Sequence, residues 1–248
     1  MDLLSPAQPD LFLEALCLER KDGVFQAGFC LARPPGRELL AGSARFLHPE
    51  EQELFATLKF ERRQLSYLTG RFCAKHAIRL LRPDLSLSAI AIHPGVFQQP
   101  IVCADGLAPQ ISISHAADWG AALAFPEEHP MAIDIEEIKE ERAGVVRSQV
   151  TDAEYGLVTP LAQDEIRALT LLWTVKEAMS KVIRCGMMTP FTLFEVGSAE
   201  RAGPAIVCTF PNFAQYKTTT YWACGLAITL VSPKNSSFGH LQLANRHE

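Results

Sequence analysis

Two carboxylates separated by one residue are the first feature of this sequence that could do chemistry. Asp134 and Glu136 alternate with Ile133 and Ile135. In a β-strand, residues two apart point to the same face, so both carboxylates share one face and both isoleucines share the other. Carboxylate oxygens are hard ligands, which suit Mg²⁺ better than a softer metal. The same pattern is also typical of a solvated strand edge, because charged residues are mostly exposed.

A second feature is the nonapeptide WTVKEAMSK at residues 173–181. Trp173, Glu177 and Lys181 are each four residues apart, so they share a helix face that differs from the apolar stripe. In one interpretation Glu177 and Lys181 form an exposed pair that stabilises the helix by about 0.2–0.5 kcal/mol. In the other, Glu177 is an oxygen ligand or a base, and Lys181 is a cation for phosphate. Spacing alone does not distinguish the two.

A histidine and a basic segment precede these residues. His115 ends the alternating sequence SISH at 112–115, and a histidine at a strand end can meet a phosphate with one ring nitrogen. A single histidine is also often a hydrogen-bonded structural residue. Upstream, the segment 59–82 carries one acid, Glu61. Its basic residues are Lys59, Arg62, Arg63, Arg71, Lys75, Arg79 and Arg82.

Composition and missing motifs narrow the possible functions. The sequence contains no P-loop, no G-x-G-x-x-G, no H-E-x-x-H and no G-x-S-x-G. A formal net charge of −5 gives no general attraction to nucleic acid. No apolar run reaches the roughly 18–20 residues that cross a bilayer, and the N-terminus does not resemble a signal peptide. We expect a soluble cytoplasmic protein with reduced cysteines and no nucleic-acid or membrane partner.

The residues that could take part in catalysis or binding fall on predicted helices and strands. No proline occurs between Glu50 and Arg82, and the helical spacing of apolar residues there predicts one or two helices. Residues 111–115 predict a half-buried strand. Thr151 and Glu154 have the spacing of a capping box, and a further helix is predicted over 165–183, ended by Cys185-Gly186. Residues 192–196, 205–210 and 221–230 predict strands.

The chain has 248 residues, of which 48% are hydrophobic, enough for a real core. Residues before about 46 predict short strands and turns. A proline-rich loop at 126–130 predicts a boundary between halves 1–128 and 129–248. Each half offers a helix with basic residues followed by short strands, which favours an α+β fold of two pseudo-duplicated α/β subdomains with the active site in the cleft between them. The last fifteen or so residues are polar and expected to be mobile.

Taken in order, three motifs resemble the 4′-phosphopantetheinyl transferases of the surfactin-synthetase-activating type. The motifs are SISH at 112–115, IDIE at 133–136 and WTVKEAMSK at 173–181, and the last matches the family pattern W-x-x-K-E-A-x-x-K throughout. The similarity spans about Phe46 to Val196. Ala132 stands where the family commonly has glycine. Ala116 stands where a serine often follows the histidine, so a hydroxyl that could contact a phosphate is missing.

The resemblance implies a holo-[acyl-carrier-protein] synthase (EC 2.7.8.7 type). Such an enzyme moves 4′-phosphopantetheine from coenzyme A to a serine of an apo acyl or peptidyl carrier protein and releases adenosine 3′,5′-bisphosphate. The resemblance further implies a monomer of two similar halves with coenzyme A and Mg²⁺ between them. It implies that Asp134, Glu136 and Glu177 bind the metal. Glu177 or a metal-bound water would accept the serine proton, and Lys181 would contact the pyrophosphate. Its candidates for the coenzyme A phosphates are Ser114, His115, Arg62, Arg63, Arg71 and Lys75.

Two other classes of protein stay open. A non-catalytic coenzyme A or carrier-protein binding subunit would bind the carrier without adding the arm. An unrelated Mg²⁺-dependent phosphatase or nucleotide hydrolase would use the same carboxylates to release phosphate without any carrier. The sequence does not indicate which carrier or pathway is served, or which acyl-coenzyme A is tolerated.

Overall fold

A computed structural model describes residues 10–106 and 108–245. These residues form two compact units. One contains the residues up to Leu18 and Val24–Glu128, and the other contains Glu19–Gly23 and the residues from His129 onward. The predicted mixed fold of helices and sheets is confirmed. The finer predictions stay predictions: a division at residue 128, duplicated subdomains, and an active site in a cleft between them.

The N-terminal part of the chain places one long helix on a sheet. Its helices are α1 (Gly36–Gly42), α2 (Pro49–Ala56) and α3 (Glu61–Leu81). Its strands are β1 (Leu11–Arg20), β2 (Gly23–Ala32), β3 (Ala91–Pro94), β4 (Pro100–Cys103), β5 (Gln110–Ala116) and β6 (Trp119–Phe125). The sheet order is β1-β2-β6-β5, and β3 pairs with β4 in a separate antiparallel ribbon. Because α3 packs on β5 and β6, the predicted basic helix and SISH strand are neighbours.

The C-terminal part also packs one long helix on a sheet, which here has five strands. Its helices are α4 (Ala143–Arg147), α5 (Asp152–Val158) and α6 (Glu165–Ile183). Its strands are β7 (Ala132–Glu137), β8 (Ser198–Ala202), β9 (Ala205–Thr209), β10 (Tyr216–Ala223) and β11 (Leu226–Pro233). The antiparallel order is β7-β11-β10-β9-β8, and α6 packs on β7 and β11. Over the described ranges, no helix is long and apolar enough to cross a membrane.

Helix α6 has the bounds that the sequence predicts. Asp164 caps its start, with the side chain accepting a hydrogen bond from the Arg167 backbone N–H at 2.8 Å. Its end differs from the prediction, because Arg184, not Gly186, directly follows the last helical residue in a left-handed conformation, with φ of 59°. The backbone N–H groups of Arg184 and Cys185 bond to carbonyls of the last turn, as in a Schellman ending.

A fully buried ion pair anchors α6 in the second unit. The Lys176 ammonium lies 2.6 Å from Glu154 Oε1 and donates to the Phe191 carbonyl at 3.0 Å, and both charged side chains have 0% exposure. Glu154 is the third residue of α5, where it completes the predicted capping box with Thr151. Its Oε1 also accepts from the Val196 backbone N–H at 2.9 Å. One carboxylate therefore joins α5, α6 and the segment that follows α6.

The first unit contains the same arrangement. The Lys75 ammonium on α3 lies 2.5 Å from Glu51 Oε2 and donates to the Phe46 carbonyl at 2.6 Å. Glu51 completes a capping box with His48 at the start of α2, and it accepts from the Ile92 backbone N–H at 3.1 Å. Burial lowers the pKa of Lys75 to about 8, although Glu51 opposes the shift. Both long helices are thus fixed through a lysine paired with a capping-box glutamate.

Several predicted strands differ in the structure. Residues 191–194 form a 3₁₀ turn instead of a strand, and this turn buries both Phe191 and Phe194. The segment 221–230 is not one strand, because Cys224 and Gly225 both take positive φ and turn β10 into β11. Helices α1 and α4 and strand β8 were not predicted. The mobility of the tail stays a prediction; Leu241 and Leu243 are buried, and residues 246–248 lie outside the described residues.

Replacing Lys176 with Met should destabilise the protein by about 3–5 kcal/mol, because Glu154 would remain as a buried charge without its partner. Urea unfolding followed by tryptophan fluorescence measures the change. Adding Glu154→Gln to the same chain should recover part of the loss, because it removes that charge. The exposed Lys234 supplies the matched control, since Lys234→Met should stay within about 0.5 kcal/mol of the wild type. Equal stabilities for Lys176→Met and Lys234→Met would contradict this account of the pair.

Candidate functional site

The two carboxylates of β7 lie on one face of the strand, as the sequence predicts. Their partners across the antiparallel pair with β11 are Thr229, opposite Asp134, and Ala227, opposite Glu136. Asp134 is buried at 5% exposure, whereas Glu136 is half-buried. A carboxylate at 5% exposure needs a cation or hydrogen-bond donors to remain charged. Asp134 is therefore not part of a solvated strand edge.

Helix α6 supplies those partners. The Lys181 ammonium donates to Asp134 Oδ1 at 2.7 Å and to the Ile133 carbonyl at 3.1 Å. About two helical turns earlier on the same face, the Trp173 indole N–H donates to Glu136 Oε1 at 3.2 Å. The face that carries Trp173 and Lys181 therefore meets β7 instead of pointing into solvent. Of the two interpretations of WTVKEAMSK, the exposed surface pair does not describe Lys181.

Glu177 lies between these two contacts on the same face of α6. Burial raises its pKa to about 7; the nearby Asp134 and Glu136 charges add to the shift, and Lys181 opposes it. Asp134 and Glu136 are thus close enough to disfavour a negative charge on Glu177. A pKa near neutrality lets Glu177 accept a proton at physiological pH.

The donor set suits a hard divalent cation in type, because it offers carboxylate oxygens only. In the arrangement described for residues 10–106 and 108–245, however, no three His, Cys, Asp or Glu side chains are placed to hold one metal ion. Lys181 instead supplies positive charge at Asp134. A metal that binds all three carboxylates would therefore require side-chain movement.

Hydroxyl groups fix the register of α6 on its sheet. Thr229 Oγ1 donates to Thr174 Oγ1 at 2.8 Å, and Thr229 also shares a 2.8 Å hydrogen bond with Thr220 on β10. Thr174 in turn bonds to carbonyls of its own helix. All three threonines are fully buried. Because Thr229 is the cross-strand partner of Asp134, this chain of hydroxyls sets the helix beside the carboxylates.

A small open depression with a volume of about 20 Å³ lies beside Glu136 and Trp173. Its lining is more apolar than polar. The lining residues are Glu136, Glu137, Lys139, Ala143, Val146, Ile166, Leu169, Thr170 and Trp173.

The predicted phosphate ligands of the first unit have different surroundings. Arg62 and Arg63 are exposed in the first turn of α3, His115 is exposed near the end of β5, and Ser114 is buried. Arg71 lies 3.0 Å from Glu51 Oε1, and its guanidinium covers the Tyr67 ring.

Lys75 needs a correction, because its ammonium has 0% exposure and is held by Glu51 and the Phe46 carbonyl. We assign Lys75 to the core rather than to phosphate binding, because a phosphate could reach it only by breaking a buried pair.

Sequence reasoning missed the partners that hold the site residues in place. Trp173 was noted for its spacing, but its hydrogen bond to Glu136 was not predicted. Nothing in the local sequence marks Thr229 as the residue opposite Asp134, because that pairing joins strands far apart in the chain. The capping-box spacing of Thr151 and Glu154 was a usable signal, since it placed Glu154 at a helix start. It did not identify Lys176 as the partner.

Comparisons with known proteins point to one family for part of the chain. Residues 130–228 match the family described as the 4′-phosphopantetheinyl transferase superfamily. Among solved structures, the chain is similar to a holo-[acyl-carrier-protein] synthase of Thermotoga maritima. The identity is 20%, the match covers 56% of this chain and 76% of that chain, and the TM-score is 0.33. Among curated proteins the comparison gives no match. The family match covers Asp134, Glu136, Glu177 and Lys181, and it leaves out His115 and the basic helix.

The electrostatics of the carboxylates can be measured directly. In metal-free protein with ¹³C-labelled glutamate, Glu177 should titrate with a pKa of about 7. Asp134→Asn should lower this pKa because it removes a negative neighbour, and Lys181→Met should raise it because it removes a positive one. Because the folded pKa lies above the ordinary value, Glu177 should favour the folded state at low pH, an advantage lost as pH rises through 7. A pKa near 4.5 that neither substitution moves would contradict the geometry.

Proposed function

We propose that this chain is a 4′-phosphopantetheinyl transferase that moves the phosphopantetheine arm of coenzyme A onto a serine of an apo carrier protein. One observation carries the proposal. Helix α6 brings Glu177 and Lys181 to the carboxylates of β7, within the range that matches the transferase superfamily. Phosphoryl-type transfer depends on positioning and on neutralising negative charge, and a cluster of acids with a lysine can supply both through a cation.

In the proposed reaction, the carrier serine Oγ attacks the phosphorus that bears the pantetheine arm. A new serine O–P bond forms, the bond to the bridging pyrophosphate oxygen breaks, and adenosine 3′,5′-bisphosphate leaves. Glu177 accepts the serine proton, because a carboxylate within reach of the attacking hydroxyl can act as a general base. No nucleophile from the enzyme is required.

Asp134, Glu136 and Glu177 would hold Mg²⁺, which when bound supplies positive charge to the pyrophosphate and the leaving group. Trp173 would keep Glu136 oriented through its indole hydrogen bond. Lys181 now neutralises Asp134. In the loaded protein, the Lys181 ammonium would bind the pyrophosphate.

The coenzyme A phosphates would be bound in the first unit by Arg62, Arg63 and His115, with Ser114 as a less accessible candidate. The two arginines and the histidine are exposed, as ligands for a soluble polyanion must be. Arg71 would contribute only through its exposed part, because its guanidinium already contacts Glu51 and Tyr67.

The finer assignments belong to the same proposal. We expect the surfactin-synthetase-activating type, a monomer, a cytoplasmic location, and a carrier of fatty acid, polyketide or peptide synthesis. The family type rests on the three motifs and their order. The exposed basic residues at the start of α3 offer a surface toward which an acidic carrier could be steered.

The reaction is tested by intact-mass spectrometry of a panel of apo carrier proteins incubated with the chain, coenzyme A and Mg²⁺. At least one carrier should gain the mass of one phosphopantetheine group, and a chelator should prevent the gain.

Glu177→Gln should lower the transfer rate by about 100-fold or more, the usual contribution of a general base. Trp173→Phe should lower it by roughly 10–100-fold through the loss of its hydrogen bond to a metal-ligating carboxylate.

Glu200→Gln is the matched control, because Glu200 is an exposed residue of β8, and it should transfer at the wild-type rate. Carrier binding without a mass gain would overturn the proposal in favour of a binding subunit. Release of phosphate from coenzyme A or nucleotides without any carrier would favour the phosphatase or nucleotide hydrolase. A wild-type rate in Glu177→Gln would contradict the assigned base.

A further inference from the structure

At Gly70, which has no side chain, the backbone of helix α3 faces the imidazole of His115. A Cβ atom placed on Gly70 would lie 2.5 Å from His115 Nε2 and 2.8 Å from Cε1, well inside any real contact distance. The next atom, Ile113 Cγ2, would be 3.4 Å away, an ordinary contact. The imidazole therefore occupies the space that the Cβ atom of any other residue at position 70 would fill.

The contact at Gly70 differs from other glycine contacts of α3. A Cβ on Gly28 of β2 would lie 2.1 Å from the Ala77 carbonyl oxygen, which is backbone and cannot move aside. That glycine is required for the packing of α3 on the sheet. At Gly70 the obstructing atoms belong to the far end of an exposed side chain. A substitution there would displace the His115 ring, not the helix.

The position of the ring also matters for charge. Gly70 lies seven residues after Arg63, two turns along the same side of α3, or about 10 Å. An imidazole resting on α3 at Gly70 therefore lies on the side of the helix that carries Arg63. Glycine within a helix lowers helix propensity, so the helix itself gains nothing from this residue.

We propose that Gly70 is a positioning residue. Because it has no side chain, it allows the His115 imidazole to pack against α3, where the ring can bind a phosphate of coenzyme A. The inference rests on the proposed function for the identity of the anion. Gly70 touches neither ligand nor reacting atoms and acts only through His115.

An alanine at position 70 separates this role from a structural one. Its Cβ forces the imidazole away from α3, while the helix gains propensity and keeps its packing. Gly70→Ala should therefore weaken coenzyme A binding without lowering the melting temperature. Gly156→Ala is the matched control, because Gly156 is also helical and has no atom within 4 Å of an added Cβ.

The test measures the coenzyme A dissociation constant by calorimetry for five proteins: wild type, Gly70→Ala, His115→Ala, the double variant and Gly156→Ala. Gly70→Ala and His115→Ala should each weaken binding by about tenfold or more, the usual worth of a hydrogen bond to a charged group. The double variant should bind no more weakly than His115→Ala, because both changes remove the same contact. In transfer assays, Gly70→Ala should raise KM and leave kcat unchanged.

Wild-type affinity in Gly70→Ala would overturn the inference. So would losses that multiply in the double variant, because Gly70 would then act independently of His115. A lowered melting temperature in Gly70→Ala would assign the glycine to packing instead. If the wild type binds no coenzyme A, the proposed function fails. The NMR chemical shifts of the His115 ring then test its packing against Gly70 without any ligand. They should shift in Gly70→Ala and stay unchanged in Gly156→Ala, and unchanged resonances in both would overturn the inference.

Discussion

An ammonium group buried without water must be neutralised by the protein, and this requirement organises the second unit around Lys176. The charge is met by Glu154 and by the Phe191 carbonyl, which come from the helix before α6 and from the turn after it. Successive residues on a helix point about 100° apart. With Lys176 turned into the core, its neighbour Glu177 is directed elsewhere, and Trp173 and Lys181 meet β7. The pair thus decides which face of α6 the carboxylates meet.

The same requirement is met in the first unit by Lys75 and Glu51, which supports the proposed duplication. In both units the lysine lies on the long helix and the glutamate completes a capping box of the preceding helix. The residues that follow the two lysines differ in chemistry. His76 follows Lys75 and bonds within its own helix to the Phe72 carbonyl, whereas the carboxylate of Glu177 follows Lys176. The same lysine–glutamate arrangement is therefore followed by a histidine in the first unit and by a carboxylate of the acid cluster in the second.

Local sequence patterns were sufficient to predict much of this structure. The bounds of α6, the capping box at Thr151 and the shared face of Asp134 and Glu136 follow from spacing alone, because each depends on neighbours within a few residues. The errors arise where tertiary contacts decide. The apolar run at 191–194 becomes a 3₁₀ turn because it buries two phenylalanines at once. Lys75 looked like a surface cation because its partner, Glu51, lies on another helix, and no sequence pattern joins the two.

The central claim is that β7 and α6 together form a site for a divalent cation and a pyrophosphate. The most direct test is an anomalous difference map from crystals grown with Mn²⁺ and coenzyme A. The account predicts one strong peak in contact with Asp134, Glu136 and Glu177, with the Lys181 ammonium moved from Asp134 Oδ1 to a pyrophosphate oxygen. A map with coenzyme A bound and no peak at these carboxylates, or with Lys181 still on Asp134, would contradict it.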